Sequence, residues 1–264
     1  MRVLGFELER AFRNKWFYIS LVIGTLVGVL DIVLFQSNIQ AFGKASLIQV
    51  WLGTDYRYAY NAMYFYVLFP ILACMPYAGA YYEDMHTKYD KNIQVKTSRN
   101  KYFVAKAVAV FLSAFTAVSL PLLINLYIVA GIYPDSRPEK LTFLAAGIID
   151  CNMYAEIFHE HPAVYCVVYT MLDGVLGGVM GLMALSLSKW VKSRFDSIVI
   201  PFILYLFSNF FGMIGLDGGW ALCDVVNPVQ YSLITWGRVT AMILILIAIS
   251  LVVTWLYSRR RDVL

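Results

Sequence analysis

Charge is scarce in this chain. Of its 264 residues 14% are charged, against 60% hydrophobic, whereas a soluble domain carries about 25% charged and about 45–50% apolar residues. One soluble core cannot absorb that excess, because the surface around it must still be polar. A soluble enzyme is therefore excluded. A disordered chain is excluded too, since 16% of the residues are aromatic and disordered segments are poor in them. Histidine is rare at three residues, and none lies in an apolar stretch, which removes the serine–histidine pair and the histidine ligands that a membrane-embedded protease would use. The four cysteines lack the spacing of a zinc site, so no metal is expected. The phosphate-cradling pattern GxxxxGK[ST] is absent as well. Gly43-Lys44-Ala45-Ser46 lacks its upstream glycine, so no nucleotide is expected to bind through that motif.

What is present is apolar sequence in long runs. A bilayer core about 30 Å thick needs roughly 20 mostly apolar residues per helix. Six runs qualify: 16–35, 60–82, 103–132, 163–187, 198–214 and 239–257. A β-barrel would instead show alternating segments of about 10 residues. The fold class expected is an all-α integral membrane protein with six transmembrane helices, forming a single domain over 1–264. The first run is of span length with no convincing cleavage site after it, so it is expected to stay as a membrane helix rather than be removed.

Lysine and arginine in short loops set orientation. Sixteen of the 21 fall on one side: Arg2, Arg10, Arg13 and Lys15, six between Lys88 and Lys106, then Lys189, Lys192, Arg194 and Arg259 to Arg261. The other five are Lys44, Arg57, Arg137, Lys140 and Arg238. Both termini are thus expected in the cytoplasm, and the net charge of +4 needs no nucleic acid to explain it. Residues 1–15 are too charged to span. Leu4, Leu8, Ala11 and Phe12 recur at helical spacing, which fits an amphipathic helix lying in the interface near anionic lipid; a plain positive anchor is the other reading.

The outer loops are 36–59, where Trp51, Tyr56 and Tyr58 suit an interface belt, then 133–162 and 215–238. In the second, Leu141, Leu144, Ala145 and Ile148 repeat as on a short amphipathic helix. In the third, Pro228 can start the last helix or a short one before it. Cys151 and Cys223 lie in these two loops and can bridge if the loops meet; two unpaired small residues are the alternative. Glu156, His159, Glu160 and His161 form a polar cluster too weakly patterned to name as a metal site.

Ionisable and polar residues inside spans are costly and tend to face the protein interior. Asp31, Asn125 and Asp173 are therefore candidates for a translocation path, with Pro70 and Pro76 as kinks that suit a gate. Pairing between helices is the other use for such residues. Gly174, Gly177, Gly178 and Gly181, and Gly24 with Gly28, have the spacing that lets helix backbones approach closely. The segment Glu83–Lys106 is different in kind. Its basic residues are spaced rather than clumped, and Tyr89 and Ile93, with Lys96, share one helical face. It looks shaped to meet a protein.

That segment carries a family resemblance. An acidic residue at the end of the second span, Glu83, is followed by Ser98-Arg99, Tyr102 and Lys106 at the opening of the third. Together with the start ELERAFRNKWF, this resembles the permease subunits of type-2 ABC exporters. The motif covers about 35 residues, and the chain has Met85, His86 and Thr87 where family members often place glycine and threonine. The resemblance implies a coupling helix at about Lys88–Lys96 within a cytoplasmic segment 84–101. Glu83, Lys88, Tyr89, Asp90, Lys91, Asn92, Ile93, Lys96 and Arg99 would contact a separate ABC ATPase dimer. It also implies a second permease chain, identical or related, and ATP with magnesium on the ATPase rather than on this chain. Aromatic, apolar spans suit a hydrophobic or amphipathic cargo such as a peptide, drug or lipid, moved across a bacterial plasma membrane. A self-sufficient channel or ion-coupled transporter using Asp31 and Asp173 is the competing reading; a membrane-embedded enzyme is a third.

Overall fold

The long apolar runs fold as helices in the computed structural model, which describes residues 2–36, 46–54, 59–89, 93, 97–135, 153–191, 193–213, 220–229 and 234–262. Among these there is no strand. A short helix, α1 (Arg2–Phe12), leads into α2 (Lys15–Gln36). Asn14 makes the corner, accepting the Trp16 backbone N–H on Oδ1 at 3.1 Å and donating to the Pro76 carbonyl at 2.9 Å. There follow α3 (Leu47–Val50), α4 (Ala59–Ala62), a π-helical stretch (Met63–Leu68), α5 (Phe69–Cys74), α6 (Ala80–His86) and α7 (Arg99–Ile132). The second half holds α8 (Ala155–Glu160), α9 (Pro162–Leu187), α10 (Asp196–Met213), α11 (Leu222–Val226) and α12 (Trp236–Asp262).

Four of these helices are long and apolar enough to cross a membrane: 15–34 in α2, 100–132 in α7, 162–187 in α9 and 236–257 in α12. Two further apolar helices, 60–74 and 196–210, are shorter. The α12 helix is the most outward-facing, with Leu244, Leu251, Val252 and Trp255 all exposed, whereas α9 runs through the middle of the bundle.

Small residues decide where the helices meet. The glycine ladder of α9 lies against α7: a Cβ on Gly177 would meet Val118 at 2.8 Å, and one on Gly181 would meet Ala114 at 2.9 Å. The pair on α2 receives α7 in the same way, Gly24 taking the Pro121 ring (2.8 Å) and Gly28 the Asn125 side chain (3.2 Å). Where lipid replaces water, such close contact supplies packing energy that burial alone does not. Asn125 fixes the register: its Nδ2 donates to the Gly28 carbonyl at 2.9 Å, and its Oδ1 accepts from the Leu52 N–H at 3.0 Å.

The second apolar run is not one unbroken helix. Its middle winds as a π-helix, in which each carbonyl awaits the N–H five residues on. For Phe65 that residue is Pro70, which has no N–H. The hydroxyl of the fully buried Tyr205 on α10 donates to the Phe65 carbonyl instead, at 2.7 Å. Further on, residues 75–79 unwind around Pro76 before α6 begins. The expected kinks at Pro70 and Pro76 are therefore a π-helical stretch and a true break.

At the end of the bundle away from α1, residues 46–54 do not lie in an interface belt. Leu47, Ile48, Val50, Trp51 and Leu52 are all buried in the core, so Trp51 corrects the expectation from sequence; Tyr56 and Tyr58 are outside the described residues. Asn61 donates to the Leu52 and Gly53 carbonyls (3.0 and 2.9 Å) and accepts from Asn227 (2.9 Å). The two neutral amides thus tie residues 46–54 to residues 221–229. Pro228 starts no helix: α11 stops before it and Asn227 is extended (ψ 121°), as proline demands of its predecessor. The amphipathic repeat at 141–148 lies outside the described residues.

The glycine contacts yield a test. Gly177→Leu should destabilise the chain by about 1–3 kcal/mol through overpacking against Val118. Gly131→Ala, at a position with open space around it, should be neutral. Thermal unfolding in detergent micelles compares the two.

Candidate functional site

The strongest electrostatic feature lies where α1, α6 and α7 converge. Tyr102 and Lys106 are four residues apart on α7 and so share one face. Both are completely buried, as are Glu7 on α1 and Asp84 on α6. The Lys106 ammonium sits 2.5 Å from Asp84 Oδ2 and 3.3 Å from Glu7 Oε2. Arg10, one turn beyond Glu7, donates to Asp84 Oδ1 at 2.7 Å and lies 3.3 Å from Glu7 Oε1. Two hydroxyls complete the set: Tyr102 donates to Asp84 Oδ2, and Tyr77 donates to Glu7 Oε2 at 2.8 Å.

Two cations thus face two carboxylates, and the cluster is neutral. An unpaired buried charge would cost several kcal/mol, and removing one member of such a pair leaves that penalty exposed. Aromatic rings close the remaining sides. Lys106 Nζ is 5.1 Å from the Tyr77 ring and 5.2 Å from the Tyr102 ring, and the Arg10 guanidinium is 4.7 Å from Tyr89, within cation–π range. Burial pushes the Asp84 carboxyl up, but hydrogen bonds from Arg10, Lys106 and Tyr102 and the Lys106 charge outweigh it and hold the group below its ordinary value of 3.8.

The network changes the reading of α1. Leu4 and Phe6 are exposed on this helix while Glu7 is fully buried. Glu7 points into the protein beside Ala11, towards Lys106 and Tyr77, while Glu9 and Arg13 share the outward side with Leu4 and Phe6. Tyr89 stacks on Phe6, with ring centroids 6.3 Å apart. Tyr89 and Ile93 both pack against the cluster formed by Ala11, Tyr81 and Tyr102. Lys88 is exposed and takes a left-handed backbone (φ 55°) where α6 ends, a conformation common at helix ends.

Glu83 points elsewhere. It pairs with Arg194, from the turn before α10, whose guanidinium also lies 5.0 Å from the Trp16 ring. Burial draws Arg194 below its ordinary value, and Glu83 opposes that shift. Gly79 makes room for this arginine: a Cβ there would meet Arg194 Cγ at 2.7 Å. Lys189 stays beside Phe103 (4.5 Å from the ring) and donates to Thr254 on α12 (3.3 Å).

Of the remaining residues singled out from sequence, Asp90, Lys91, Asn92 and Lys96 lie outside the described residues, and Arg99 opens α7. Asp31 is buried on α2. Asn125 serves as a cross-link between α2, α7 and residue 52, with both ends of its amide bonded within the chain. Asp173 is fully buried, and neither carboxyl oxygen has a hydrogen-bond partner among the described residues. Cys223 carries a free thiol that donates to Asn209 Oδ1 at 2.5 Å; burial and then Asp224 push it up to about 12. Its suggested partner, Cys151, is outside the described residues. Glu156, Glu160 and His161 are exposed, and no group of three metal-ligating side chains occurs among the described residues.

Sequence reasoning missed Glu7, Arg10, Tyr77 and Asp84. The signal that could have found them is Lys106. It lies inside the third apolar run, where an ammonium requires a partner, and a carboxylate beside Glu83 with an i, i+3 Glu–Arg pair in the first helix were the available counter-ions. Comparison of the chain with protein families, with characterised proteins and with solved structures gives no match.

The Asp84 environment predicts how stability depends on pH. A carboxyl held below its ordinary value stabilises the fold above about pH 4, and that contribution is lost as pH falls through the folded-state value. Thermal unfolding followed from pH 7 to pH 3 should therefore show an acid-side loss. In Asp84→Asn that loss should be weaker, on a lower overall stability.

Proposed function

We propose that this chain is the membrane-spanning permease subunit of an ATP-driven ABC exporter. In this reading both shorter apolar helices also cross the bilayer, giving six spans with both termini in the cytoplasm and α1 lying in the interface. The chain is an integral, multi-pass protein of a bacterial plasma membrane. It does not hydrolyse ATP itself: a separate ATPase dimer binds ATP with magnesium and docks under segment 84–101. Two permease chains, identical or related, enclose a path for a hydrophobic or amphipathic cargo such as a peptide, drug or lipid, exported from the cell. Nucleic acid plays no part.

One observation carries this reading beyond the resemblance in the sequence. The beginning of the segment proposed to meet the ATPase is bound to the bundle by its strongest polar network. Asp84 lies in α6 at the head of the segment, and Tyr89 and Ile93 pack into the same cluster. A push on the segment is passed through Asp84 and Lys106 to α7, and from α7 through the glycine ladder to α9. The bias of lysine and arginine to one side supports a cytoplasmic position for this end.

A second reading is favoured by Asp173 alone. A buried carboxyl lacking a hydrogen-bond partner among the described residues suits an ion-coupled transporter or channel that uses it, with Asp31, as an ion site.

One preparation separates the two. The tagged chain purified from its own membrane should bring with it a nucleotide-binding ATPase. Reversing charge at Lys91 and Lys96 together should reduce that association about tenfold while leaving membrane insertion unchanged, if each charge contributes on the order of 0.7 kcal/mol across the contact. Normal ATPase association and turnover after the reversal count against the permease reading. Ion-gradient-driven flux from the chain alone in vesicles, abolished by Asp173→Asn, establishes the alternative.

A further inference from the structure

On the flank of the bundle near the α1 end, α2, α5 and α10 leave an open groove of about 550 Å³. This is within the roughly 300–1,000 Å³ of small-molecule sites. Its walls include Met75, Phe195, Ile198 and Phe202, and its charged member is Arg194. Phe195 is 70% exposed at the rim, so the groove faces the surroundings rather than the interior. Where those surroundings are hydrocarbon, an apolar trough of this kind is filled by an acyl chain.

The polar end of the groove is built around Trp16. Arg194 lies 5.0 Å from one side of its ring system and Lys15 Nζ 5.6 Å from it. An indole flanked by basic side chains is the arrangement found at the level of lipid headgroups. Two carboxylates stand nearby among the described residues. Asp196 accepts the Ser193 backbone N–H at 3.2 Å, and Glu83 binds Arg194 through Nη1. A guanidinium has five N–H donors in a planar fork, so the bond to Glu83 leaves others for a phosphate, a geometry to which arginine is suited.

We propose that this groove binds one anionic glycerophospholipid, its acyl chain along Met75, Ile198 and Phe202 and its phosphate at Arg194 and Lys15. The proposal rests on the membrane setting of the chain and not on an ATPase partner. Its consequence is a link between lipid and the cytoplasm-proximal segment: a phosphate on Arg194 competes with Glu83, the residue that stands immediately before Asp84 and the buried network. Lipid occupancy then loosens the Glu83 contact without touching the Lys106 cluster.

Native mass spectrometry of the full chain, released from nanodiscs of phosphatidylglycerol or of phosphatidylcholine with the same acyl chains, tests this. One retained phosphatidylglycerol is expected, favoured over phosphatidylcholine by about fivefold, the weight of roughly one basic residue at an anionic surface. Arg194→Gln should abolish the preference, Arg194→Lys should keep most of it, and Ile198→Trp should remove the retained lipid by filling the groove. Glu83→Gln should hold phosphatidylglycerol at least as well as the wild type, because it removes a competitor; a merely structural ion pair would give the opposite. Lys101→Gln, at an exposed lysine of the same end, should leave lipid retention unchanged. Equal retention of both lipids, or retention unaffected by Arg194→Gln and Ile198→Trp, overturns the proposal. So does a second copy of the chain in the groove, seen as a dimer lost in Ile198→Trp with bound lipid unchanged.

Discussion

A lysine ammonium without solvent exposure constrains everything around it. Lys106 occupies the first turns of the longest helix in the chain, inside sequence otherwise apolar enough to span a membrane. Such a charge is tolerated only where carboxylates and hydroxyls are brought to it in good geometry. Two carboxylates come from different elements, Glu7 from α1 and Asp84 from α6. The requirement accounts for several features at once. It draws Glu7 of α1 inward, and it ties α6, beyond the break around Pro76, to α7 through the Asp84 side chain. It also fixes where the segment after α6 leaves the bundle.

The two ends of the bundle are held by different chemistry. At the α1 end the links are ionic, and a second ion pair, Glu83 with Arg194, sits beside the first. At the other end the links among the described residues include neutral amides, Asn61 with Asn227 and Asn125 with residue 52, beside buried side chains such as Trp51. Between them the α7–α9 contact is made by the α9 glycines, which receive Ala114, Val118 and the rings of Phe111 and Phe115, with little room for sliding because interiors pack densely.

The helices were legible in the sequence because length and hydropathy dictate them. The α2, α7, α9 and α12 ranges lie within a few residues of the apolar runs, and the glycine spacings at Gly24/Gly28 and Gly174–Gly181 mark real helix contacts. The site was half legible. Tyr102 and Lys106 stood in the motif, yet the acidic residue singled out in it was Glu83, as the end of the second span, whereas Asp84 is the residue that meets them. Adjacent residues on a helix point about 100° apart, so a one-residue choice is decided by how the chain leaves the break upstream at 75–79, where Asn14 donates to the Pro76 carbonyl. Trp51 was misplaced for a related reason: the helix α3 just before it packs against α7 and α9, contacts that no local pattern encodes. The function of Asn125 was equally hidden, since an amide looks the same in a path as in a cross-link.

The account turns on whether Asp84 and Lys106 act as one unit. A double-mutant cycle with Asp84→Asn and Lys106→Met, read by unfolding in detergent at neutral pH, measures this directly. The double variant should be more stable than the sum of the two single effects allows, by at least about 1.5 kcal/mol, because each single change strands the other charge. Effects that add within about 0.5 kcal/mol would mean that the two residues are independent, and would contradict the account.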